Sequence, residues 1–153
     1  MSIEEKLSQM GLPLPSAPTP AGAYVPTVRT GNLVFVSGQV PKQDGKIRFR
    51  GSIGDNLSLE DGQQAARFCT LNALAAIKGE IGDLALIRRI VKLTGYVRSA
   101  TDFTAHPMII DGASELLIEL FGERGRHSRV AVGVGSLPLG VAVELEMIVE
   151  VEP

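Results

Sequence analysis

The chain has 153 residues, 44% of them hydrophobic and 21% charged, which is the size and balance of one ordinary globular domain. Its formal net charge of −2 excludes the broad basic surface through which proteins hold phosphates, so nucleic-acid binding is not expected. A single cysteine predicts no internal disulfide, and two distant histidines offer no metal-binding spacing. The sequence has no apolar run long enough to span a membrane. We therefore expect a cytoplasmic protein without metal or cofactor.

The N-terminal part differs in composition from the rest of the chain, which we divide into an N-terminal extension at 1–20 and a single domain at 21–153. Residues 3–10 have one apolar side, but two helical turns are marginally stable without packing, which predicts an appendage. The next stretch, up to Tyr24, is rich in proline, which disfavours a helix interior and a central strand. It should run extended along the surface.

A β-hairpin is predicted next. Val28 and the apolar run 33–36 are separated by a polar stretch, 29–32, that contains the Gly-Asn pair typical of tight turns. The polar, glycine-containing residues 41–54 are expected to add one short strand at 47–49.

The first long helix is predicted from Leu59 to about Lys78. Ser58 is placed to cap its N-terminus, with Asp61 reaching back as in a capping box. Its many alanines have small side chains, so that the helix backbone can lie close to a sheet. Cys69 and Asn72 on this helix are interpreted as core residues.

A long strand at 87–97 and a second helix complete the middle of the chain. The β-branched content of residues 87–97 favours a strand inside the sheet. Pro107 suits the first turn of a helix, and Gly122 is a plausible end for it.

Two C-terminal strands present the charged residues of greatest interest. Arg129 heads the first, and residues 141–151 alternate apolar and acidic positions as a half-buried strand does. If these strands pair, Arg129 and either Glu144 or Glu146 would line one site, where a planar guanidinium could bind a carboxylate through two hydrogen bonds. The alternative is an ordinary solvated surface arginine.

The order of elements predicts an α+β fold, a mixed β-sheet with two helices packed on one face. The chain offers no further helix for the other face, so that face should be covered by association of subunits.

These residues resemble the RidA/YjgF/UK114 family, also described as L-PSP endoribonuclease-like, and in particular a longer subgroup of it. The resemblance covers roughly residues 21–150. It rests on residues 31–39, residues 97–103, Arg129, Pro138 and residues 143–146. It implies a chorismate-mutase-like single domain and a homotrimer with clefts between subunits.

The resemblance also implies roles for individual residues. Arg129 is similar to the arginine that grips the carboxylate of a small 2-imino or 2-keto acid, and Glu144 to the glutamate that orients water. Tyr24 and Gly38 are similar to the tyrosine and glycine of the substrate cleft. Ala131 stands at a substrate-binding position where the deaminase branch usually has cysteine.

The implied activity is that of an imine deaminase, which hydrolyses 2-imino acids to 2-keto acids and ammonia. Two alternatives stay open, namely a non-catalytic trimer that binds small carboxylates and, less favoured by the acidic balance, an endoribonuclease or translation inhibitor. Residues 104–114 are longer than in short family members and place Asp111 near the position of a cleft asparagine. The sequence shows no Ser-His-Asp or Cys-His arrangement and predicts no catalytic duty for His127.

Overall fold

The computed structural model describes residues 1–20 and 22–153, and this part of the chain contains three α-helices and seven strands. The helices are α1 (Ile3–Gln9), α2 (Leu59–Ile81) and α3 (His106–Phe121). The strands are β1 (Thr27–Thr30), β2 (Leu33–Gln39), β3 (Lys42–Gln43), β4 (Lys46–Ile47), β5 (Ile87–Arg98), β6 (Ser128–Val134) and β7 (Val143–Val151).

Five strands form one mixed sheet in the order β1-β2-β7-β5-β6, and β3 pairs with β4 in a separate two-stranded ribbon. Only β5 and β6 run parallel among the neighbours in the five-stranded sheet. The predicted hairpin is confirmed, since Thr30 pairs with Leu33 across a turn of Gly31 and Asn32. Gly31 has φ 56°, a value that glycine adopts without steric cost.

The hypothesis that the two C-terminal strands pair is wrong, because β5 lies between β6 and β7. α3 connects β5 to β6, and a helical crossover of this kind joins parallel neighbours in a sheet. β6 therefore occupies the outer side of β5, whereas β7 fills the space between β2 and β5.

The two long helices pack on one face of the sheet, as predicted. The capping box of α2 is confirmed, since Ser58 Oγ accepts from Asp61 N at 3.1 Å while Asp61 Oδ2 accepts from Ser58 N at 3.0 Å. A Cβ on Gly112 of α3 would lie 2.4 Å from the backbone oxygen of Gln63, so glycine is what allows the backbones of the two helices to approach.

The short helix α1 belongs to the same core, so the expectation of an appendage is wrong. Leu7 is fully buried, and Lys6 Nζ donates to the carbonyl oxygen of Leu120 in α3 at 2.9 Å. Tertiary packing supplies the stability that an isolated helix of this length lacks. Division of the chain at residue 20 stays a prediction. No helix among the described residues is long and apolar enough to cross a membrane.

The face of the sheet opposite the helices is open. Phe35 and Val28 face each other on β2 and β1, and Val130 and Val132 continue the face on β6. All four are exposed by 39–54% of their surface. An exposed apolar face of this kind is typical of an interaction surface, and the trimer stays a prediction.

Candidate functional site

A cavity of about 570 Å³ lies at one end of the sheet, and it brings together three of the predicted site residues. Glu144 enters it from the start of β7, Gly38 from the end of β2, and Tyr24 from the segment that precedes β1. Residues 15–20 of the proline-rich segment line it as well. The segment predicted to run along the surface therefore forms one wall of the cavity.

Gly38 and Glu144 are in direct contact. A Cβ placed on Gly38 would lie 2.9 Å from Glu144 Oε2, a distance that real Cβ atoms essentially never show, and 3.2 Å from its Cδ, which is a tight contact. The absence of a side chain at position 38 thus leaves the space in which the carboxyl group lies.

The environment of Glu144 favours its protonated form. Partial burial raises the pKa of the Glu144 carboxyl, and the nearby negative charge of Glu146 raises it further. Tyr96, opposite Glu144 on β5, donates from its hydroxyl to Glu146 Oε1 at 3.2 Å. A carboxyl with a raised pKa in a cavity is suited to general acid and base chemistry.

Tyr24 is 51% exposed. It lines the cavity with Gly38 and Glu144 within one chain. The assignment of these residues to one substrate site with Arg129 stays a prediction.

Arg129 does not reach this cavity, since it points to the opposite face of the sheet. It pairs with Leu93 on β5, which is fully buried beneath the helices, whereas Glu144 pairs with Tyr96 on the open face. Ala131, two residues after Arg129, faces the same way and packs against the core. Within one chain the predicted catalytic pair, Arg129 and Glu144, is therefore separated by the sheet.

The Arg129 guanidinium already has partners. Its Nη1 donates to Asp111 Oδ1 at 2.7 Å and to Ser114 Oγ at 3.1 Å, both on α3. The side chains of Arg129 and Asp111 are 24% and 41% exposed, so this ion pair is accessible to solvent. The opposite edge of the guanidinium, with Nε and Nη2, makes no hydrogen bond to the residues that the structure describes.

Sequence reasoning missed a polar network around this arginine. His127 Nδ1 lies 2.6 Å from the carbonyl oxygen of Gly125, to which it can only donate. With that tautomer His127 Nε2 accepts from Ser114 Oγ at 2.8 Å, while Ser114 accepts from Arg129. A serine–histidine arrangement thus exists after all. The i, i+3 spacing of Asp111 and Ser114 on one predicted helix was the available signal.

Other candidates have structural roles. Asn72 donates from Nδ2 to the carbonyl oxygens of Val40 and Lys42, at 3.1 and 2.9 Å, and Cys69 is fully buried, so both are core residues as predicted. Among residues 1–20 and 22–153, no three or more His, Cys, Asp or Glu side chains are placed to hold a metal ion.

Together the fold and these two clusters define a small α+β protein with a carboxyl-lined cavity on one side of its sheet and an arginine–aspartate pair on the other. A family model described as "YjgF/chorismate_mutase-like, putative endoribonuclease" matches residues 4–151. The chain belongs to this YjgF/chorismate-mutase-like family, as the sequence motifs predicted. The match includes α1 except its first residue, Ile3.

Known proteins of this family resemble the chain over nearly its whole length. Protein TCP17 from Trypanosoma cruzi is 42% identical over 149 residues, which cover 97% of this chain and 93% of that protein. A 2-iminobutanoate/2-iminopropanoate deaminase from Dermatophagoides farinae is 31% identical over 138 residues, covering 90% and 93%. The solved structure of Atu1372 from Agrobacterium tumefaciens, a protein of unknown function, is 42% identical with a TM-score of 0.93, covering 99% and 94%.

Proposed function

We propose that the protein is a trimeric hydrolase that converts 2-imino acids to 2-keto acids and ammonia in clefts between subunits. The observation that carries this proposal is the position of the Glu144 carboxyl, which lies against Gly38 in an open cavity. The pKa of this carboxyl is raised. The named deaminase among the relatives supports the reaction class.

The proposed site uses residues of two subunits, and the geometry of the sheet supports this part of the proposal. Arg129 and Glu144 cannot contact one substrate in the same chain, because one points toward the helices and the other toward the open face. Both lie near the uncovered surfaces of the protomer. Association of copies would place Arg129, on the edge strand β6 of one subunit, at the cavity of its neighbour.

In this site Arg129 holds the substrate carboxylate. Its Nη1 is engaged by Asp111 and Ser114, and the remaining edge of the guanidinium offers two parallel donors to a carboxylate. These contacts from α3 fix the orientation of the fork before substrate arrives, which reduces the entropy lost on binding.

Glu144 acts as the general base and general acid of the proposed reaction. Its carboxylate accepts a proton from the water whose oxygen adds to the carbon of the protonated C=N bond, giving a neutral carbinolamine. Glu144 returns this proton to the nitrogen, and the C–N bond breaks with its electron pair leaving on ammonia. The carbinol oxygen passes its proton to the Glu144 carboxylate as the C=O bond forms. No covalent enzyme intermediate is required, so a positioned water and a fixed charge are sufficient.

The non-catalytic alternative is favoured by one specific observation. Asp111 partly neutralises Arg129, and a carboxylate already bound to the arginine weakens the attraction for a second one. Such a site would bind acids weakly without turnover. An endoribonuclease is favoured less, since the net charge of −2 provides little attraction for RNA.

The test is a coupled assay in which an amino-acid oxidase generates imines in the presence of the protein and keto-acid release is followed. The proposal expects faster release with wild type, and loss of the acceleration in Arg129→Ala and Glu144→Gln. Keto-acid binding without acceleration would establish the non-catalytic alternative. Cleavage of RNA that survives both substitutions would indicate the third function.

A further inference from the structure

Leu139 has an unusual backbone conformation in the loop before β7. Its φ of 60° and ψ of 11° lie in the left-handed region, which side chains other than glycine adopt rarely. Its side chain is 60% exposed, so packing in the core does not explain why leucine occupies the position. A strained backbone combined with an exposed apolar side chain points to a functional contact.

The surrounding loop holds this conformation in place. The carbonyl oxygen of Gly140 accepts from Gly51 N at 2.9 Å and from Arg98 Nη1 at 3.2 Å. Gly140 N in turn donates to the carbonyl oxygen of Leu137 at 3.0 Å. Contacts on both sides of Leu139 therefore determine where its side chain projects.

Leu139 lines the Glu144 cavity, whose wall combines apolar residues with polar and charged ones such as Lys42 and Asp44. The apolar lining residues include Pro15, Pro18, Pro20, Tyr24, Pro26 and Leu139. Most of them belong to the proline-rich segment, whose rings present rigid apolar surface at little entropic cost. Glu144, beside Gly38, supplies a carboxyl group in the same cavity.

The cavity volume exceeds what a small acid needs. About 570 Å³ lies within the range of roughly 300–1,000 Å³ typical of pockets that enclose drug-sized ligands. An acid the size of pyruvate, with its reacting carbon near Glu144, would leave most of the apolar lining in contact with water. In that arrangement these residues would add no hydrophobic contribution to the free energy of binding.

We propose that Leu139 and the proline-rich segment 15–20 form a subsite for a large apolar side chain, so that the substrates are 2-imino acids with branched or aromatic side chains. This inference rests on the proposed function. It assigns Leu139 as a specificity-determining residue and the N-terminal segment as part of the substrate site.

Calorimetric titration with pyruvate, 4-methyl-2-oxopentanoate and phenylpyruvate tests the subsite, since these keto acids share one head group and differ in side chain. Wild type should bind the two larger acids at least about tenfold more tightly than pyruvate, because added methylene groups in an apolar pocket contribute on that scale. Leu139→Ala and Leu139→Gly should reduce this preference severalfold.

Leu139→Gly also distinguishes a functional side chain from a structural one. Glycine relieves the positive φ but makes the unfolded chain more flexible, and the two effects oppose each other, so its melting temperature should stay near that of wild type. A leucine retained for stability would instead give a clear loss in both variants. Leu86→Ala, at the opposite end of β7 and 39% exposed, is the matched control and should leave the preference unchanged.

The outcomes separate this inference from the proposed function. If wild type binds pyruvate as tightly as the larger acids, or if both Leu139 variants keep the wild-type preference, the subsite is refuted while the imine hydrolase stands. If none of the keto acids binds to the wild-type trimer, the proposed function is refuted and the subsite with it.

Discussion

Arg129 and Glu144 lie on opposite faces of one sheet, although the residues they pair with on β5, Leu93 and Tyr96, are only three positions apart. Side chains along a strand alternate between faces, so an odd separation places the two charges on different sides. A site that uses both residues must therefore combine two copies of the chain.

Charges introduced on the open face should dissociate the predicted trimer. Phe35→Glu and Val132→Glu place carboxylates among residues that are now 41% and 39% exposed, and burial of an unpaired charge in an interface is costly. Sedimentation should show monomers for both variants. Met108→Glu, at a site 50% exposed on α3, is the control and should keep the wild-type mass. A wild-type protein that is monomeric at micromolar concentration would refute the shared cleft.

Gly38→Ala should lower deaminase activity without unfolding the protein. The new Cβ would lie 2.9 Å from Glu144 Oε2, so the carboxyl must move. A displacement of this size in a catalytic group lowers activity by about tenfold or more. Gly135→Ala is the matched control, because its Cβ would meet nothing within 4 Å. Equal deaminase rates in both variants would contradict the role of Glu144.

Substitution of Arg129 should weaken the binding of keto acids, because its planar guanidinium is proposed to clamp their carboxylate. Arg129→Lys keeps the positive charge but loses the fork, so keto-acid affinity should fall about tenfold in both Arg129→Lys and Arg129→Ala. The free energy of unfolding should change by less than about 1 kcal/mol, because the pair with Asp111 is accessible to solvent. Equal binding by folded wild type and Arg129→Ala in calorimetric titration would exclude the clamp.

Removal of the charge on Asp111 should strengthen binding of monoanionic keto acids. Asp111→Asn frees Arg129 from a competing carboxylate whose Oδ1 lies 2.7 Å from Nη1, and an affinity gain of about threefold to tenfold is expected. Glu115→Gln on the same helix controls for the change in net charge. Weaker binding in Asp111→Asn would show instead that Asp111 is needed to orient the guanidinium.

The raised pKa of Glu144 predicts a dependence of stability on pH. Because its folded pKa exceeds its unfolded value, the native state binds more protons, and stability falls as pH rises from the unfolded through the folded pKa. Glu144→Gln should therefore be more stable than wild type at neutral pH, and this gain should disappear below the ordinary carboxyl range. Thermal unfolding of both proteins, from below the ordinary carboxyl pKa range to neutral pH, measures this difference in stability. A gain that is independent of pH would contradict the raised pKa.

Local patterns in the sequence were sufficient for most elements. The capping box at Ser58, the hairpin turn at Gly31 and the alternation along β7 each depend on neighbouring residues, whose effects act within a few positions of the chain. The motifs also predicted the family. Three residues that the resemblance assigned to the substrate site, Tyr24, Gly38 and Glu144, line one cavity, and their functional roles stay a prediction.

Only the tertiary structure decided how distant segments meet. It placed β5 between β6 and β7, packed α1 into the core, and turned the proline-rich segment into a cavity wall. It also brought Asp111 to Arg129 across 18 positions of sequence. Strand order and long-range ion pairs depend on crossovers and packing between remote residues, and these leave no periodic signal in the chain.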